Sequence, residues 1–436
     1  MDKFFKISER GSSVRTEIIG GLTTFLAMAY IVAVNPTILS AAGVPFAAAL
    51  TATCFASAIA TFAMGLFANR PIALASGMGI NAVVAFGMCG SLGIDWRVAM
   101  AVVMLEGIVI LGLVLGGLRK AVMDAIPLDL RQSIGIGIGL LVTFIGLKGA
   151  GLILADESTL VALGPLTEPT SVIAIVSIAV AVILTILNVP GALLISIVVA
   201  VIAGIPFGVT PLPTDWSFGL DFSAFAAPFQ EVDGTPAIVQ VFLQPALLLF
   251  VFSLLMSDFF DTLGTAVAIA KEGEFLDANG DVEDIKAILT VDSTSAIIGG
   301  FFGASSVTCF LESASGVAAG ARTGLSNMVV GLLFLVCAFF APVFGMVSGS
   351  ATCGALVVVG FLIMSEVGSI SWKVPQVAFP AFLIIVGIPF TYSITNGIGL
   401  GFIAYVVLMA ATGRAKEVKP LMWVASLAFL IMFLVV

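Results

Sequence analysis

The sequence contains no histidine, and only 10% of its 436 residues are charged, whereas 60% are hydrophobic. A soluble globular chain carries about 25% charged residues and about 45–50% apolar ones. So little charge cannot cover the surface of a water-soluble fold of this length. Soluble enzymes, nucleic-acid-binding proteins and disulfide scaffolds are therefore poor hypotheses, and the composition predicts a chain whose solvent is lipid.

The missing histidine excludes an imidazole proton relay and the usual zinc ligand, so any proton chemistry falls to carboxylates. The sequence also has no G-x-S-x-G nucleophile elbow, which disfavours a membrane-embedded enzyme. The few cysteines lie in apolar stretches without the spacing of a metal site, and we interpret them as small packing residues. They are Cys54, Cys89, Cys309, Cys337 and Cys353. We expect no metal and no bound cofactor.

Long apolar segments fill most of the chain, and at about 20 residues per membrane crossing they predict fourteen spans. They lie at about 18–38, 46–67, 71–90, 98–117, 127–147, 170–187, 191–208, 242–269, 286–302, 304–320, 324–345, 351–366, 375–391 and 395–412. A last apolar stretch, 420–436, is short for a span, and both an interfacial and a crossing position stay open. The charged N-terminal segment lacks the apolar region and cleavage site of a signal peptide.

The distribution of positive charge predicts the orientation of the spans. With the N-terminus inside the cell, all 17 Lys and Arg residues except Arg97 and Lys148 fall on the cytoplasmic side. Cytoplasmic loops are rich in Lys and Arg, and one missed span would scramble this asymmetry. We therefore expect a multi-pass protein of the cell (inner) membrane with a cytoplasmic N-terminus.

A long outer loop, 209–241, divides the predicted spans into two halves of seven. Because each half has an odd number of spans, the second half has the opposite orientation in the membrane, which is the pattern of an inverted repeat. The third segment, with Asn81, and the tenth, with Glu312, are both rich in Gly, Ala and Ser. Matched glycine-interrupted segments indicate a transporter binding site built on broken or extended backbone. The alternative is tight helix packing through small residues.

Only a few acidic residues lie within the apolar segments, where an ionised carboxylate costs roughly 2.5–3.5 kcal/mol. They are Glu106, Asp258, Asp261, Asp292 and Glu312. Asp258 and Asp261 share one helical face with Thr262. Their two carboxyl groups would lie so close together that one of them could hold a proton. Asp292 could simply bind neighbouring backbone, and Glu106 could be a structural hydrogen-bond partner.

Glu312, the carboxamide of Asn81 and free backbone groups around the glycines suit a planar heterocycle with both donors and acceptors. A naked anion fits less well, because no Lys or Arg lies at mid-membrane.

Six motifs are spread along the chain, and the resemblance that they support covers nearly all of it: GGLTTFLAMAYIVAVNP (20–36), GMGINA (77–82), EGIVILG (106–112), DAIPLDLRQSIGIGIGLLVTFIGLKGAG (124–151), SDFFDTLGT (257–265) and ESASGVAAGARTGL (312–325). With these motifs the chain resembles the AzgA-like purine permeases of the nucleobase–ascorbate transporter superfamily. The resemblance implies an all-α polytopic membrane protein with fourteen spans in two inverted repeats of seven. It also implies a core, spans 1–4 and 8–11, that moves against a gate, spans 5–7 and 12–14, often in a dimer.

On this basis the chain divides into six parts. A cytoplasmic segment, 1–17, precedes the first repeat, 18–208, with core spans in 18–117 and gate spans in 127–208. The loop 209–241 connects it to the second repeat, 242–412, with core spans in 242–345 and gate spans in 351–412. The C-terminal segment, 413–436, has no assigned membrane position.

The resemblance also implies roles for individual residues. Asp258 and Glu312 would hold the nucleobase, and Asn81, Gly79 and Phe310 would complete the site. Proton coupling would involve Asp258, Asp261 and Glu312, with Glu106, Asp292 and Thr262 in supporting positions. The chain departs from the family pattern at Ser76, Ala304 and the pair Cys309-Phe310, which lie in or beside the expected pocket and bear on substrate range.

The expected function is import of purine nucleobases (hypoxanthine, guanine and adenine) by proton symport through alternating access. Its partners would be a small purine base, membrane lipid and, as the family allows, a second copy in a homodimer. One alternative is a symporter for another planar substrate, such as uracil, xanthine or a purine-like vitamin precursor. Another is a passive channel for small solutes, since glycine-rich broken helices also line pores. Sodium in place of the proton also stays open.

Overall fold

The computed structural model describes residues 2–117, 126–213, 216, 218–276 and 282–435. Arg119 and Lys120, which entered the charge analysis, and the first two residues of the 124–151 motif lie outside the described residues. The described chain is mostly helical, with three short two-stranded sheets.

Most helices of the first half lie in or near the predicted apolar segments, although the first precedes them and the segment 18–38 is divided between two helices. They are α1 (Asp2–Phe5), α2 (Val14–Met28), α3 (Ile31–Ala41), α4 (Phe46–Ala63), α5 (Met78–Ala82), α6 (Trp96–Leu115), α7 (Leu128–Gly149), α8 (Pro169–Ile186) and α9 (Ala192–Gly204). A π-helical stretch, Met64–Ala68, continues α4, and a second, Val83–Ser91, continues α5.

The connecting loop carries a short 3₁₀ turn, Ala227–Phe229, and the helix α10 (Ala237–Leu243). The helices of the second half are α11 (Pro245–Glu272), α12 (Ile285–Phe302), α13 (Ser313–Ala318), α14 (Leu325–Cys337), α15 (Ala341–Phe344), α16 (Gly349–Met364), α17 (Pro375–Phe390), α18 (Ile394–Ala411) and α19 (Pro420–Val435). Two 3₁₀ turns, Ser365–Ser369 and Ala415–Glu417, follow α16 and α18.

Local sequence explains where many of these helices begin. The side chains of Ser13, Ser348 and Ser393 accept a hydrogen bond from the backbone N–H three residues on, which caps α2, α16 and α18. Asp95 caps α6 through the N–H of Arg97. Prolines occupy the first positions of α8, α11, α17 and α19, where the missing N–H has no partner to lose.

The strands are short and pair in antiparallel fashion. β1 (Leu74–Ser76) pairs with β6 (Val307–Cys309), from the opposite half of the chain. β2 (Ile153–Asp156) forms a hairpin with β3 (Leu160–Leu163), and β4 (Glu231–Val232) with β5 (Thr235–Pro236). The β2–β3 and β4–β5 hairpins lie in loops between apolar helices, whereas the β1–β6 pair connects two apolar segments that are distant in the sequence.

Eight helices in the described ranges are long and apolar enough to cross a membrane by length and composition, and five further apolar helices are shorter. Several predicted spans are therefore shorter as helices than as apolar segments. α9 and α14 have 13 residues each, and the third and tenth segments begin as strands. The multi-pass character of the chain agrees with these helices, while the count of fourteen spans stays a prediction.

Helix contacts fall into two sets. α7 lies against α16 and α17, and α8 lies against α9 and α16. In the other set α2 and α4 lie against α14, and α6 lies against α12 and α11. Small residues permit close approach: a Cβ on Gly300 of α12 would lie 2.7 Å from the backbone N of Met104 in α6. The helices named in the first set lie in the predicted gate spans and those in the second set in the predicted core spans, and the division into core and gate stays a prediction.

A polar cluster closes one end of the second set. Arg70 is 4% exposed, and its Nη2 donates to Glu283 Oε2 at 2.6 Å and to Asp284 Oδ2 at 2.8 Å. Its guanidinium also lies 4.7 Å from the ring centre of Phe275. Arg10 donates to the carbonyl oxygen of Asn69. The N-terminal segment is thus attached to the loops that follow α4 and α11.

Candidate functional site

The predicted extended stretches of the third and tenth segments form one antiparallel ribbon. Leu74 pairs with Cys309 and Ser76 with Val307, and α5 and α13 follow the two strands directly. Extended backbone at membrane depth requires partners within the protein. Gly77 N donates to Ser306 O at 2.8 Å. The expectation of extended backbone is confirmed, but this backbone is bonded across the ribbon rather than free for a ligand.

Asp292 fixes the ribbon to the neighbouring helices. Its side chain is 2% exposed, and Oδ1 accepts from Cys309 N at 3.0 Å and from Thr308 Oγ1 at 3.2 Å. Oδ2 accepts from Thr262 Oγ1 at 2.7 Å, and the Thr262 and Thr308 hydroxyls are 2.8 Å apart. Asp292 and Thr262 thus connect β6 to α12 and α11.

Glu312 lies between β6 and α13, half-buried, and is held by a tyrosine from the first half of the chain. Tyr30 Oη donates to Glu312 Oε1 at 2.6 Å. Tyr30 itself is 1% exposed and occupies the junction between α2 and α3. A short hydrogen bond from a buried phenol orients the carboxylate but leaves its side chain partly accessible.

The two acids of α11 have different surroundings. Asp258 is 0% exposed, and its carboxyl lies within hydrogen-bonding reach of the Glu106 carboxyl. Asp261, one helical turn later, is exposed and close enough to Asp292 and Glu312 for their charges to interact. In this conformation the accessible carboxylates are therefore Asp261 and Glu312. Contact between Asp258 and a ligand stays a prediction, because its side chain is inaccessible in this conformation.

The remaining predicted site residues lie on or beside the same ribbon. Asn81 of α5 is 0% exposed, and within the described ranges neither its Nδ2 nor its Oδ1 has a hydrogen-bond partner. Gly79 faces α7, where an added Cβ would lie 2.8 Å from Ile138 Cγ2. Phe310 is 6% exposed and directly follows β6. An unpaired buried carboxamide is costly, so Asn81 is available to a partner other than the residues that the structure describes.

Sequence reasoning missed several residues that organise the site. Tyr30 and Asn35 stand in the 20–36 motif, yet neither was singled out. Asn35 Nδ2 donates to Thr53 Oγ1 at 2.8 Å and to Ala304 O at 3.2 Å. The signal for Tyr30 was its rarity, since the chain has only 3 tyrosines. Thr308 carried no signal, because a threonine in a short apolar stretch has no characteristic pattern.

A cavity of about 300 Å³ separates the two helix sets. Thr37 of α3 and Phe86 line one side, and Lys148 of α7 and Thr352 of α16 line the other. The Lys148 Nζ lies 4.8 Å from the ring centre of Tyr392. Lys148 and Thr37 are both placed at the predicted outer end of their spans.

Comparisons with known proteins agree with this architecture. The Permease family matches residues 15–400. The guanine/hypoxanthine permease PbuG of Bacillus subtilis is 39% identical over 100% of this chain and 99% of its own. The adenine permease AdeP of Escherichia coli is 38% identical over 99% of this chain and 95% of its own.

Among solved structures, the transmembrane domain of a cyanobacterium bicarbonate transporter, BicA, superposes with a TM-score of 0.66. The match covers 88% of this chain and 97% of that one at 17% identity, which shows a shared fold. The chain is accordingly a multi-pass membrane transporter rather than an enzyme. It belongs to the Permease family, among the relatives of the AzgA-like purine permeases that its motifs resemble.

Proposed function

We propose that the protein imports purine nucleobases (hypoxanthine, guanine or adenine) by proton symport. The observation that carries this proposal is the pair of accessible carboxylates, Asp261 and Glu312, beside the β1–β6 ribbon. Carboxylates accept hydrogen bonds from the ring N–H groups of a planar heterocycle. Relatives along the whole chain are named as guanine/hypoxanthine and adenine permeases, which supports a purine as the substrate.

Each site residue has a role that follows from its chemistry. Glu312, oriented by Tyr30, accepts a ring N–H, and Asp261 accepts a second one or an exocyclic N–H. The carboxamide of Asn81 supplies one donor and one acceptor, which matches a purine edge with an N–H next to a carbonyl. Phe310 provides apolar contact for the ring. Asp258, Asp261 and Glu312 are the candidates for proton coupling, and no bound cofactor is required.

Transport proceeds by movement of one helix set against the other. In this proposal the core, 18–117 and 242–345, carries the site past the gate, 127–208 and 351–412, within fourteen spans arranged as two inverted repeats. Gly79 against Ile138 lies where the two parts meet. The N-terminus faces the cytoplasm, the protein resides in the inner cell membrane, and the assembly is a homodimer.

The test is uptake of labelled hypoxanthine in cells that lack their own purine permeases, with and without a protonophore. We expect accumulation above the outside concentration, collapse with the protonophore, and competition by unlabelled adenine or guanine. If only unlabelled uracil or xanthine competed with labelled hypoxanthine, the substrate would be another planar base. Uptake that never exceeds the outside concentration and ignores the protonophore would assign a passive channel.

Variants locate the site in the same assay. Glu312→Gln and Asp261→Asn are expected to abolish uptake while the protein remains in the membrane, and Asp258→Asn to abolish it as well. The matched control is Glu157→Gln, since Glu157 is an exposed loop acid. Normal uptake by Glu312→Gln would contradict the assignment of the site.

A further inference from the structure

Two buried carboxyl groups from different helices face each other behind the proposed base site. Glu106 of α6 and Asp258 of α11 are both 0% exposed, and the two helices lie against each other. The carboxyl groups are within hydrogen-bonding reach of one another. None of their four oxygens has a donor among the described residues.

This lack of donors distinguishes the pair from the neighbouring acid. Asp292 is equally buried, but two hydroxyls and one backbone N–H donate to it. Its negative charge is therefore stabilised without a proton. If both carboxylates were ionised, with no hydrogen-bond donor nearby, the pair would be destabilised both by the loss of water and by the repulsion between the two negative charges. One proton between them removes the repulsion and supplies the missing hydrogen bond.

The charges that act on the pair all have the same sign. Asp292 and Asp261 are the other carboxyl groups that interact with it, and the Cys309 thiol also lies close enough to interact with Asp258 but brings no positive charge. The basic residue of α6, Arg97, is paired with Asp95 at 3.0 Å in the first turn of the helix. Among the described residues that act on the pair there is no lysine or arginine to replace a proton.

We propose that Glu106 and Asp258 form one proton-binding site, separate from the base-contacting carboxylates, and that this site carries the coupled proton. The inference rests on the proposed function. On loading, one carboxylate oxygen of the pair takes a proton from hydronium, which leaves water, and the new O–H donates a hydrogen bond to the other carboxylate. On release, that O–H bond breaks heterolytically and the proton returns to water. Asp261, one turn from Asp258 on α11, links this event to the occupancy of the base site.

The test replaces the proton with a permanent donor. In Glu106→Gln the side-chain amide donates to the Asp258 carboxylate, so the pair no longer needs a proton. In the variant Glu106→Met, the Asp258 carboxyl has no second carboxylate with which to share a proton. It therefore keeps a proton of its own. Both variants are expected to exchange hypoxanthine across proteoliposome membranes but to lose accumulation driven by a pH gradient. Proton entry per transported base, followed with a pH-sensitive dye inside the vesicles, should fall from about one to near zero.

Control variants separate this inference from the proposed function. Glu106→Asp keeps an acid pair and should retain proton entry, and Glu157→Gln should resemble the wild type. Wild-type proton entry in Glu106→Gln and Glu106→Met would overturn the assignment. Loss of hypoxanthine exchange by Glu106→Gln and Glu106→Met, at normal levels of protein in the membrane, would also overturn it. The same holds if uptake by the wild type follows a sodium gradient without proton entry. Failure of the wild type to take up any purine would instead contradict the proposed function.

Discussion

The hydroxyl of Tyr30 and the carboxylate of Glu312 are joined by a hydrogen bond of 2.6 Å between residues 282 positions apart. The bond links the α2–α3 junction of the first half to the β6–α13 junction of the second. The carboxylate proposed to bind the base is therefore oriented from outside its own repeat. A binding group fixed before the ligand arrives loses less freedom on binding.

Removing this hydroxyl should weaken base binding while leaving the fold intact. Tyr30→Phe deletes a hydrogen bond to a charged group, a kind of bond worth about 1.5–3 kcal/mol. Because Glu312 can then rotate away from the base, we expect the KM for hypoxanthine to rise about tenfold or more. The matched control is Tyr405→Phe, since the Tyr405 hydroxyl makes no hydrogen bond in the described structure. Equal effects of the two substitutions would contradict an orienting role for Tyr30.

Thr308 should be required for stability because its hydroxyl contacts both Asp292 and the Thr262 hydroxyl. Thr308→Val preserves the shape of the side chain but removes its contacts with Asp292 Oδ1 and the Thr262 hydroxyl. We expect unfolding to become easier by about 1–3 kcal/mol, seen as a lower melting temperature of the detergent-solubilised protein. Thr294→Val is the control, because the Thr294 hydroxyl donates only to the preceding turn of its own helix. A melting temperature unchanged in Thr308→Val would show that the ribbon is held without this hydroxyl.

The contact between Gly79 and Ile138 should be sensitive to one added methyl group. In Gly79→Ala the new Cβ would lie 2.8 Å from Ile138 Cγ2, which forces α5 and α7 apart. Overpacking of this kind costs about 1–3 kcal/mol, so we expect uptake to fall by about tenfold. Ile138→Ala in the same chain removes the obstructing atom and should restore much of the rate.

One control variant and one outcome decide that prediction. Gly112→Ala is the matched control, since a Cβ at Gly112 meets nothing within 4 Å and alanine favours the helix. If the double variant is no better than Gly79→Ala alone, the loss of uptake arises elsewhere than at Ile138.

Arg70 should stabilise the end of the bundle at which it lies. Arg70→Met removes bonds to Glu283 and Asp284 and the contact with Phe275. Both acids are about half exposed and can regain water, so we expect a loss of about 2 kcal/mol rather than the full cost of breaking a buried pair. The readout is the melting temperature at low and high salt. Arg414→Met, which breaks an exposed pair with Glu417, should change it little.

Helix positions could be predicted from the sequence because they depend on long apolar segments. The segment predicted at 98–117 is the helix Trp96–Leu115, and that at 170–187 is the helix Pro169–Ile186. Mean composition over about twenty residues determines such elements, so neighbouring structure matters little to their existence. Their ends differ by a residue or two, where caps such as Asp95 decide the first turn.

Contacts between distant segments could not be predicted in the same way. Asp258 and Asp261 were placed on one helical face by their spacing, yet one is buried against Glu106 and the other is exposed. The difference depends on which side of α11 meets α6, and no periodicity within α11 encodes that. The pairing of β1 with β6 and the Tyr30–Glu312 bond likewise join residues whose local sequences carry no mark of one another.

The β1–β6 ribbon also constrains the order in which the chain can fold during its synthesis and insertion into the membrane. The N–H of Ala73 donates to Ser313 Oγ, 240 residues further along the chain, and β1 has β6 as its partner strand. During synthesis, the first half enters the membrane long before β6 leaves the ribosome. Until then the backbone of 74–76 lacks its strand partner, and nascent chains must be kept from degradation or misassembly in that interval. A truncated product that ends before residue 307 would keep its apolar helices but never complete this strand pair.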